Sequence, residues 1–555
     1  MNANGRFGER TREFVGGIVF GAAMMLGFLL LSTPTSASPG DPVIRTNSGR
    51  LQGVVGATMI QYLGIPYAVA PAGALRWTPP SPISPWTGIF QATKFGNVCP
   101  QVDPQDTAVI KTKTIGDEDC LFLNVYAPLG KKRLKPSGRA VMVWIHGGGL
   151  NKGASSEFDP SPMVEGGEVI VVTINYRLGL LGFLAQQALD AEGHDAGNYG
   201  FMDQQLALHW VNDNIAAFGG DPSRITIFGE SAGGLSIYSQ LASLQVGGLF
   251  ERAIAQSGAY AGFSPNYRDN IIPIAAAESA GNDFVHSGAE MTTAAGCPDQ
   301  TTATCLRALS ATTLVLTQVN DKFPTLPVID GTLLTQTPGD AFNSGNFNRV
   351  PVITGNNHDE YRYFVATDFA QPVGNGQYTT LFGNVFGATI ASSVEAEYPL
   401  SISTPPTNQT ELQLSAAGTD GIFVCPARRA ERGLAQFVNV WAYEFNDTSA
   451  PFPAKPVIDF PWGAYHSADV QFLINRIGPP APAFTDDEKT LSTAMISYWT
   501  HFAKRGNPNS TSTPHWDRYN SKIDERQSFF PPTPLVETGA DFDTAHVCSA
   551  YWDKF

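Results

Sequence analysis

The sequence predicts an α/β fold: a large, mostly parallel central sheet with helices on both faces and an N-terminal hairpin. Short, mostly apolar runs recur at 141–145, 169–174, 224–228, 350–353 and 437–445. Runs of that length, mostly apolar, suit strands covered on both faces. Helical stretches lie between them, as crossovers between parallel strands require. Taken in order, 43–54 reads as the hairpin, with Gly49 at its turn. Residues 202–218 read as a helix with Leu206, Trp210 and Val211 on one side. Near the end, Thr485 and Glu488 make a capping box, and Gly506 stops the helix they open. Its stripe of Leu491, Met495, Tyr498, Trp499 and Phe502 reads as ordinary core. No repeat, long charge run or linker divides 38–555, which reads as one domain.

Composition excludes whole classes. With 43% hydrophobic and 15% charged residues over 555 positions, the chain has the apolar content for a large core. Its formal charge is −15 and its basic residues are scattered. Nucleic-acid binding needs concentrated positive charge against phosphates, so that class is set aside.

Residues 1–37 read as a secretory signal peptide. Arg6, Arg10 and Arg12 precede an apolar run over 14–31, followed by Thr35-Ser36-Ala37, which places cleavage after Ala37. The run is near the minimum for a bilayer span, so an uncleaved N-terminal anchor is the alternative. No later segment is long and apolar enough to span, and the mature chain is expected to be secreted or periplasmic. The six cysteines of an exported chain read as disulfides. Six allow fifteen connectivities; spacing suggests Cys99–Cys120, Cys297–Cys305 and Cys425–Cys548. No CxxC or Cys/His spacing fits zinc, and His358 beside Asp359 has no partner in the sequence to complete a metal site. Neither metal nor cofactor is expected.

The segment that carries chemistry is Gly229-Glu230-Ser231-Ala232-Gly233, a G-x-S-x-G pattern directly after a buried strand and before a helical run. A strand turning sharply into a helix strains the central serine, projects its Oγ, and needs small neighbours. Upstream, His146-Gly147-Gly148-Gly149 follows another buried strand. Backbone N–H groups approach a developing oxyanion closely only where side chains are absent. Together the two segments point to acyl transfer through a serine.

At this level of detail the chain resembles the type-B carboxylesterases, the family that includes cholinesterases and fungal lipases. The resemblance rests on Tyr62-Leu63-Gly64-Ile65-Pro66-Tyr67-Ala68, Leu75-Arg76-Trp77 and Glu118-Asp119-Cys120-Leu121-Phe122-Leu123-Asn124. It continues through Asn175-Tyr176-Arg177-Leu178-Gly179, Gly197-Asn198-Tyr199-Gly200, Asp203-Gln204-Gln205, Ala255-Gln256-Ser257-Gly258 and Gly506-Asn507-Pro508-Asn509. It implies an α/β-hydrolase fold, a single catalytic domain over 38–555, the same disulfide pairing, and a buried Arg76–Glu118 ion pair.

Residue by residue, it implies Ser231 as nucleophile, Glu360 as orienting acid and His466 as base, in the chain order of this fold. Physics alone does not choose between Asp359 and Glu360; the resemblance does. The oxyanion donors would be the amides of Gly148, Gly149 and Ala232. Glu230, Leu150, Arg362, Tyr363 and Phe364 are candidate pocket residues. The 99–120 loop contains no Trp, Tyr or Phe. It therefore lacks the aromatic face on which cholinesterases hold a quaternary ammonium, and Leu150 and Asn151 replace aromatics after the glycines. A choline esterase is not expected.

The expected function is hydrolysis of a small-molecule carboxylic ester through an acyl-enzyme. The alternatives are a non-catalytic, cholinesterase-like binding or adhesion module, and acyl transfer to an alcohol at the same site. Arg362 stands where the family has small residues. It is read either as a receptor for a substrate carboxylate or as an outward-facing partner of one of the many surface carboxylates of this acidic chain.

Overall fold

The computed structural model describes residues 42–129, 138–263, 271–279, 287–299, 301–321, 323, 325–369, 377–400, 409–452, 458–478 and 482–555. The leader expected over 1–37, and its expected cleavage site, lie outside them. The hairpin forms: β1 (Val43–Thr46) pairs antiparallel with β2 (Gly49–Gln52). Eleven further strands make the central sheet. In chain order they are β3 (Val54–Val55), β4 (Met59–Pro66), β5 (Phe122–Pro128), β6 (Arg139–Ile145), β7 (Ile170–Ile174) and β8 (Gly220–Glu230). There follow β9 (Arg252–Gln256), β10 (Val352–Asn357), β11 (Val440–Phe445), β12 (Arg526–Phe529) and β13 (Leu535–Glu537). Across the sheet they run β13-β12-β11-β10-β9-β8-β6-β7-β5-β4-β3. Every pair from β12 to β7 is parallel. Both margins are antiparallel.

The strands alternate between two cores. Val141, Val143 and Ile145 join one, with apolar residues of α1 (Tyr199–Asn214) and α2 (Ala232–Ala242). Met142 and Trp144 join the other, with residues of α3 (Tyr361–Asp368) and α5 (Asp486–Arg505). Helix α4 (Cys425–Ala435) contributes Ala427, Ala430 and Leu434 to the first core. A period of two along a strand buried on both faces leaves no polar side, which is why these strands read as mostly apolar runs. The capping box of α5 is present, and Gly506 closes that helix in the left-handed conformation at φ 69°. Helix α1 begins three residues before its apolar pattern, and Ile215–Phe218 continues it as a 3₁₀ turn.

Strands β5 and β12 carry polar residues that hide them from an apolar-run reading. Asn124 in β5 is buried, donating to Ser155 Oγ and Thr173 Oγ1, both at 3.0 Å, and accepting from Gly64 N at 2.9 Å. In β12, Arg526 and Gln527 are buried. The sequence segments that carry the family resemblance meet as paired charges. Arg76 grips Glu118 through two hydrogen bonds (Nε–Oε1 2.7 Å) and donates from Nη1 to the Leu309 carbonyl at 2.7 Å. Arg177 and Asp203 form a second two-pronged pair at 2.8 Å, with side chains 4% and 0% exposed. Each partner offsets the desolvation of the other, so losing one would strand a buried charge.

Ser36–Phe555 forms one unit. The cysteines pair as Cys99–Cys120, Cys297–Cys305 and Cys425–Cys548. The last joins the start of α4 to the C-terminal segment across 123 residues. Chain entropy makes this crosslink the most stabilising of the three. Replacing Cys425 and Cys548 by serine should lower the unfolding free energy by about 4–5 kcal/mol, against about 2.5 kcal/mol for the Cys297/Cys305 pair. Urea midpoints of the two double variants check the ranking; equal shifts would refute it.

Candidate active site

Parallel strands in register end together, and the site is built on that edge. Gly229 of β8 stands opposite Ile145 of β6, and Glu230 opposite Gln256 of β9. Gln256 in turn stands opposite Gly355 of β10, and Asn357 of β10 opposite Phe445 of β11. The glycine run after β6, Ser231 after β8, Ser257 after β9 and the 358–360 turn after β10 therefore leave the sheet along one line.

Ser231 occupies the turn itself, at φ 56° and ψ −121°, a strained conformation for a residue with a Cβ. Its amide donates to the Gln256 carbonyl at 2.9 Å, and its carbonyl accepts from Leu235 N at 2.8 Å, opening α2. The turn is possible because its surroundings lack side chains. A Cβ on Gly233 would lie 2.0 Å from the Ile145 carbonyl oxygen. One on Gly147 would lie 2.6 Å from the Glu230 carbonyl oxygen and 3.0 Å from the Ser231 Cβ. The glycine run thus lies directly against the serine turn. Gly148 (φ 105°), Gly149 (φ 64°) and Leu150 (φ 59°) continue it in the left-handed region. Ala232 begins α2, and its amide sits at the positive end of the helix. His146 anchors the run: its ring stacks on Tyr176 at 4.5 Å, and its carbonyl accepts from Tyr176 OH at 2.8 Å. Burial lowers its imidazole to about 4, so it stays neutral.

Glu360 and His466 meet. His466 Nδ1 is hydrogen-bonded to Glu360 Oε2. Glu360 is fully buried, and its other oxygen accepts from Ser257 Oγ at 2.5 Å and Asn357 N at 2.8 Å. Three donors therefore fix the carboxylate. Asp359 does a different job. Its Oδ2 accepts from Ala464 N at 2.9 Å, and its own amide donates to the Ala464 carbonyl at 2.9 Å, tying the 358–360 turn to the 464–469 loop. Asp469 holds that loop from the other side, accepting from Gln256 Nε2 at 2.7 Å and Tyr443 OH at 2.9 Å.

The far nitrogen of the His466 ring, Nε2, is buried and makes no hydrogen bond to a described residue. Glu230 Oε1 stands 3.2 Å from it, off the angle of a hydrogen bond, and accepts instead from Ser467 Oγ. Burial raises the Glu230 carboxyl to about 7. Burial alone would lower the His466 imidazole, but Glu230 and Glu360 outweigh it and lift the group to about 9.

The pocket residues separate. Phe364 lies against His466 at 5.0 Å between ring centroids, and Tyr363 at 6.2 Å. Phe423, which sequence reasoning did not single out, lies 5.1 Å from His466 and stacks on Phe364 at 5.6 Å. It sits on a π-helical turn, Thr419–Val424, and only packing brings it here. Ser257 and Asp469 were also missed, although Ser257 lies within a segment that carries the family resemblance. Leu150 is fully buried in the core shared with α1 and α2. Arg362 is held: Nη2 lies 2.8 Å from Asp359 Oδ1, and Nη1 donates to the Pro461 carbonyl at 3.1 Å. Arg362 is thus paired with a carboxylate, but a buried one, Asp359, and not one on the surface.

The carboxylesterase family pattern matches residues 40–531. The chain is 33% identical over 523 residues to pyrethroid hydrolase Ces2e of Rattus norvegicus, covering 89% of this chain and 87% of that one. It is 32% identical over 526 residues to acylcarnitine hydrolase of Mus musculus, covering 88% of each. The solved structure of a thermophilic PNB esterase superposes with a TM-score of 0.73 at 29% identity, over 91% of this chain and 99% of that one.

Two carboxylates flanking one imidazole set its protonation. A histidine NMR titration should find His466 still protonated well above the ordinary midpoint near 6.5. Glu230→Gln removes one of the two charges and should move that midpoint toward lower pH, by on the order of one pH unit. An unchanged midpoint would mean that Glu230 is neutral in the resting protein.

Proposed function

The chain belongs to the carboxylesterase family and is a carboxylic ester hydrolase; from that premise we propose that it works through an acyl-enzyme on Ser231. Ser231 Oγ attacks the ester carbonyl carbon while His466 Nε2 takes the hydroxyl proton, a step open to the neutral ring, whose share grows as pH rises toward about 9. The tetrahedral oxyanion is held by the amides of Gly148, Gly149 and Ala232. The intermediate collapses by breaking the bond to the alkoxy oxygen, which leaves as alcohol with the proton from His466. Water then repeats the sequence and releases the acid. Glu360 orients the ring and stabilises the imidazolium. The observation that carries this reading is the Glu360–His466 hydrogen bond, on a ring whose Nε2 is left without a hydrogen-bond partner.

The substrate we propose is an uncharged ester with an apolar group packed against Phe364 and Phe423. The absence of any aromatic residue between Cys99 and Cys120 argues against a choline ester. We further propose export after cleavage at Ala37. Three disulfides support an oxidising compartment, and no described helix is long and apolar enough to cross a membrane.

Ser231→Ala should reduce turnover of p-nitrophenyl esters on the order of 10⁴-fold or more and abolish labelling by a fluorophosphonate, with an unchanged circular dichroism spectrum. Glu360→Gln should lower kcat on the order of 10³-fold or more, and Asp359→Asn far less. Reversed effects would move the orienting role to Asp359. Because Arg362 is engaged by Asp359 and Pro461, Arg362→Ala should affect neutral esters and esters bearing a free carboxylate alike. A selective loss of about tenfold or more in kcat/KM on the carboxylate esters would restore the substrate-receptor reading.

A further inference from the structure

Behind the 358–360 turn lies a second set of titratable side chains that ester hydrolysis does not use. His358 has no metal-binding partner nearby in the sequence, but the fold supplies two from distant segments. His358, Glu444 of β11 and His546 of the C-terminal segment each offer one ligand atom, and these atoms lie within 4.8 Å of one another. Glu444 and His546 are buried, with side chains 1% and 2% exposed, and His546 Nε2 lies 2.7 Å from Glu444 Oε1. The rings of His358 and His546 lie side by side, 5.1 Å between centroids. Asp420 Oδ1 sits 2.5 Å from His546 Nδ1. Neither His358 Nδ1 nor Glu537 Oε2 makes a hydrogen bond to a described residue, although Asp359 Oδ1 stands 3.3 Å from the former.

We propose that His358, Glu444 and His546 form a site for a zinc-class divalent cation. Two imidazoles and one carboxylate are zinc donors, and three protein ligands leave a fourth position for water. Asp420 takes the part that a carboxylate plays behind a metal-bound histidine. It accepts the Nδ1 proton, fixes the tautomer and leaves Nε2 for the metal. Zinc–ligand bonds of about 2.0–2.2 Å place neighbouring ligand atoms roughly 3–3.5 Å apart. The His546–Glu444 pair is already close to that. The adjustment falls to His358, whose side chain is 35% exposed and so the most movable of the three.

Charge favours a cation as well. Asp359, Asp420, Glu444 and Glu537 surround the histidines, and Arg526 is the fixed positive group whose charge reaches Glu444. The competing occupant is a proton on His546, which would leave an Asp420–His546–Glu444 ion-pair chain with no metal. A cation there would join the 358–360 turn, β11 and the C-terminal segment, so its effect is on stability.

The test is zinc binding to the full exported protein. Chelator-stripped enzyme is titrated with zinc chloride by calorimetry, and metal content is measured after gel filtration. We expect one zinc per chain with Kd below about 10 µM, a Tm that climbs with zinc concentration, and a tetrahedral visible spectrum with cobalt. His358→Ala should weaken binding about 100-fold or more and remove the cobalt bands while keeping the circular dichroism spectrum. Should that variant misfold, His358→Asn carries the same comparison. Wild-type binding weaker than about 10 µM, or binding undiminished in the His358 variant, overturns the site and leaves the proton as its occupant.

Discussion

Everything at the site depends on parallel strands ending at the same edge. Hydrogen-bonded registers from β6 through β11 bring the glycine run, Ser231, Ser257 and the 358–360 turn out of the sheet side by side. A serine loop and an acid loop more than a hundred residues apart in the chain are thereby neighbours before any of their own side chains interact. Burial of the strands on both faces makes that register hard to change, because a shift by one residue would exchange the two cores.

On that frame, two adjacent carboxylates divide two tasks. Asp359 bonds the backbone of the 464–469 loop, and Glu360 bonds the imidazole that the loop carries. The loop is also held from beneath by Asp469, through Gln256 and Tyr443. His466 is therefore positioned by its backbone, its loop and its ring at once. Such redundancy preorganises a site without relying on a single weak contact. The electrostatic consequence follows from the same packing. Glu230, Glu360 and Asp469 are all buried around one imidazole; burial raises the carboxyls of Glu230 and Asp469, and the surrounding negative charge favours a proton on the ring.

The apolar side of the site has another origin. Phe364 comes from the first turns of α3 and Phe423 from a π-helical turn, and they meet over His466 because both segments pack against the same face of the sheet. π-Helical turns are rare and frequently mark functional sites. Here the turn also bears Asp420, which bonds His546 in the neighbouring buried cluster.

Much was legible in the sequence because its signals are local. Apolar runs marked β6, β7, β8, β10 and β11; the capping box and Gly506 marked α5; glycines marked the two turns where backbones crowd. Strands such as β5 and β12 escaped because their buried polar residues are satisfied by partners far along the chain. The choice between Asp359 and Glu360 could not be made from composition or spacing either, since neighbouring residues differ only in which way the turn points them. Phe423, Asp469 and His546 carried no local mark at all. Their roles come from contacts between segments distant in sequence, and such contacts exist only once burial of the two cores has chosen which surfaces meet.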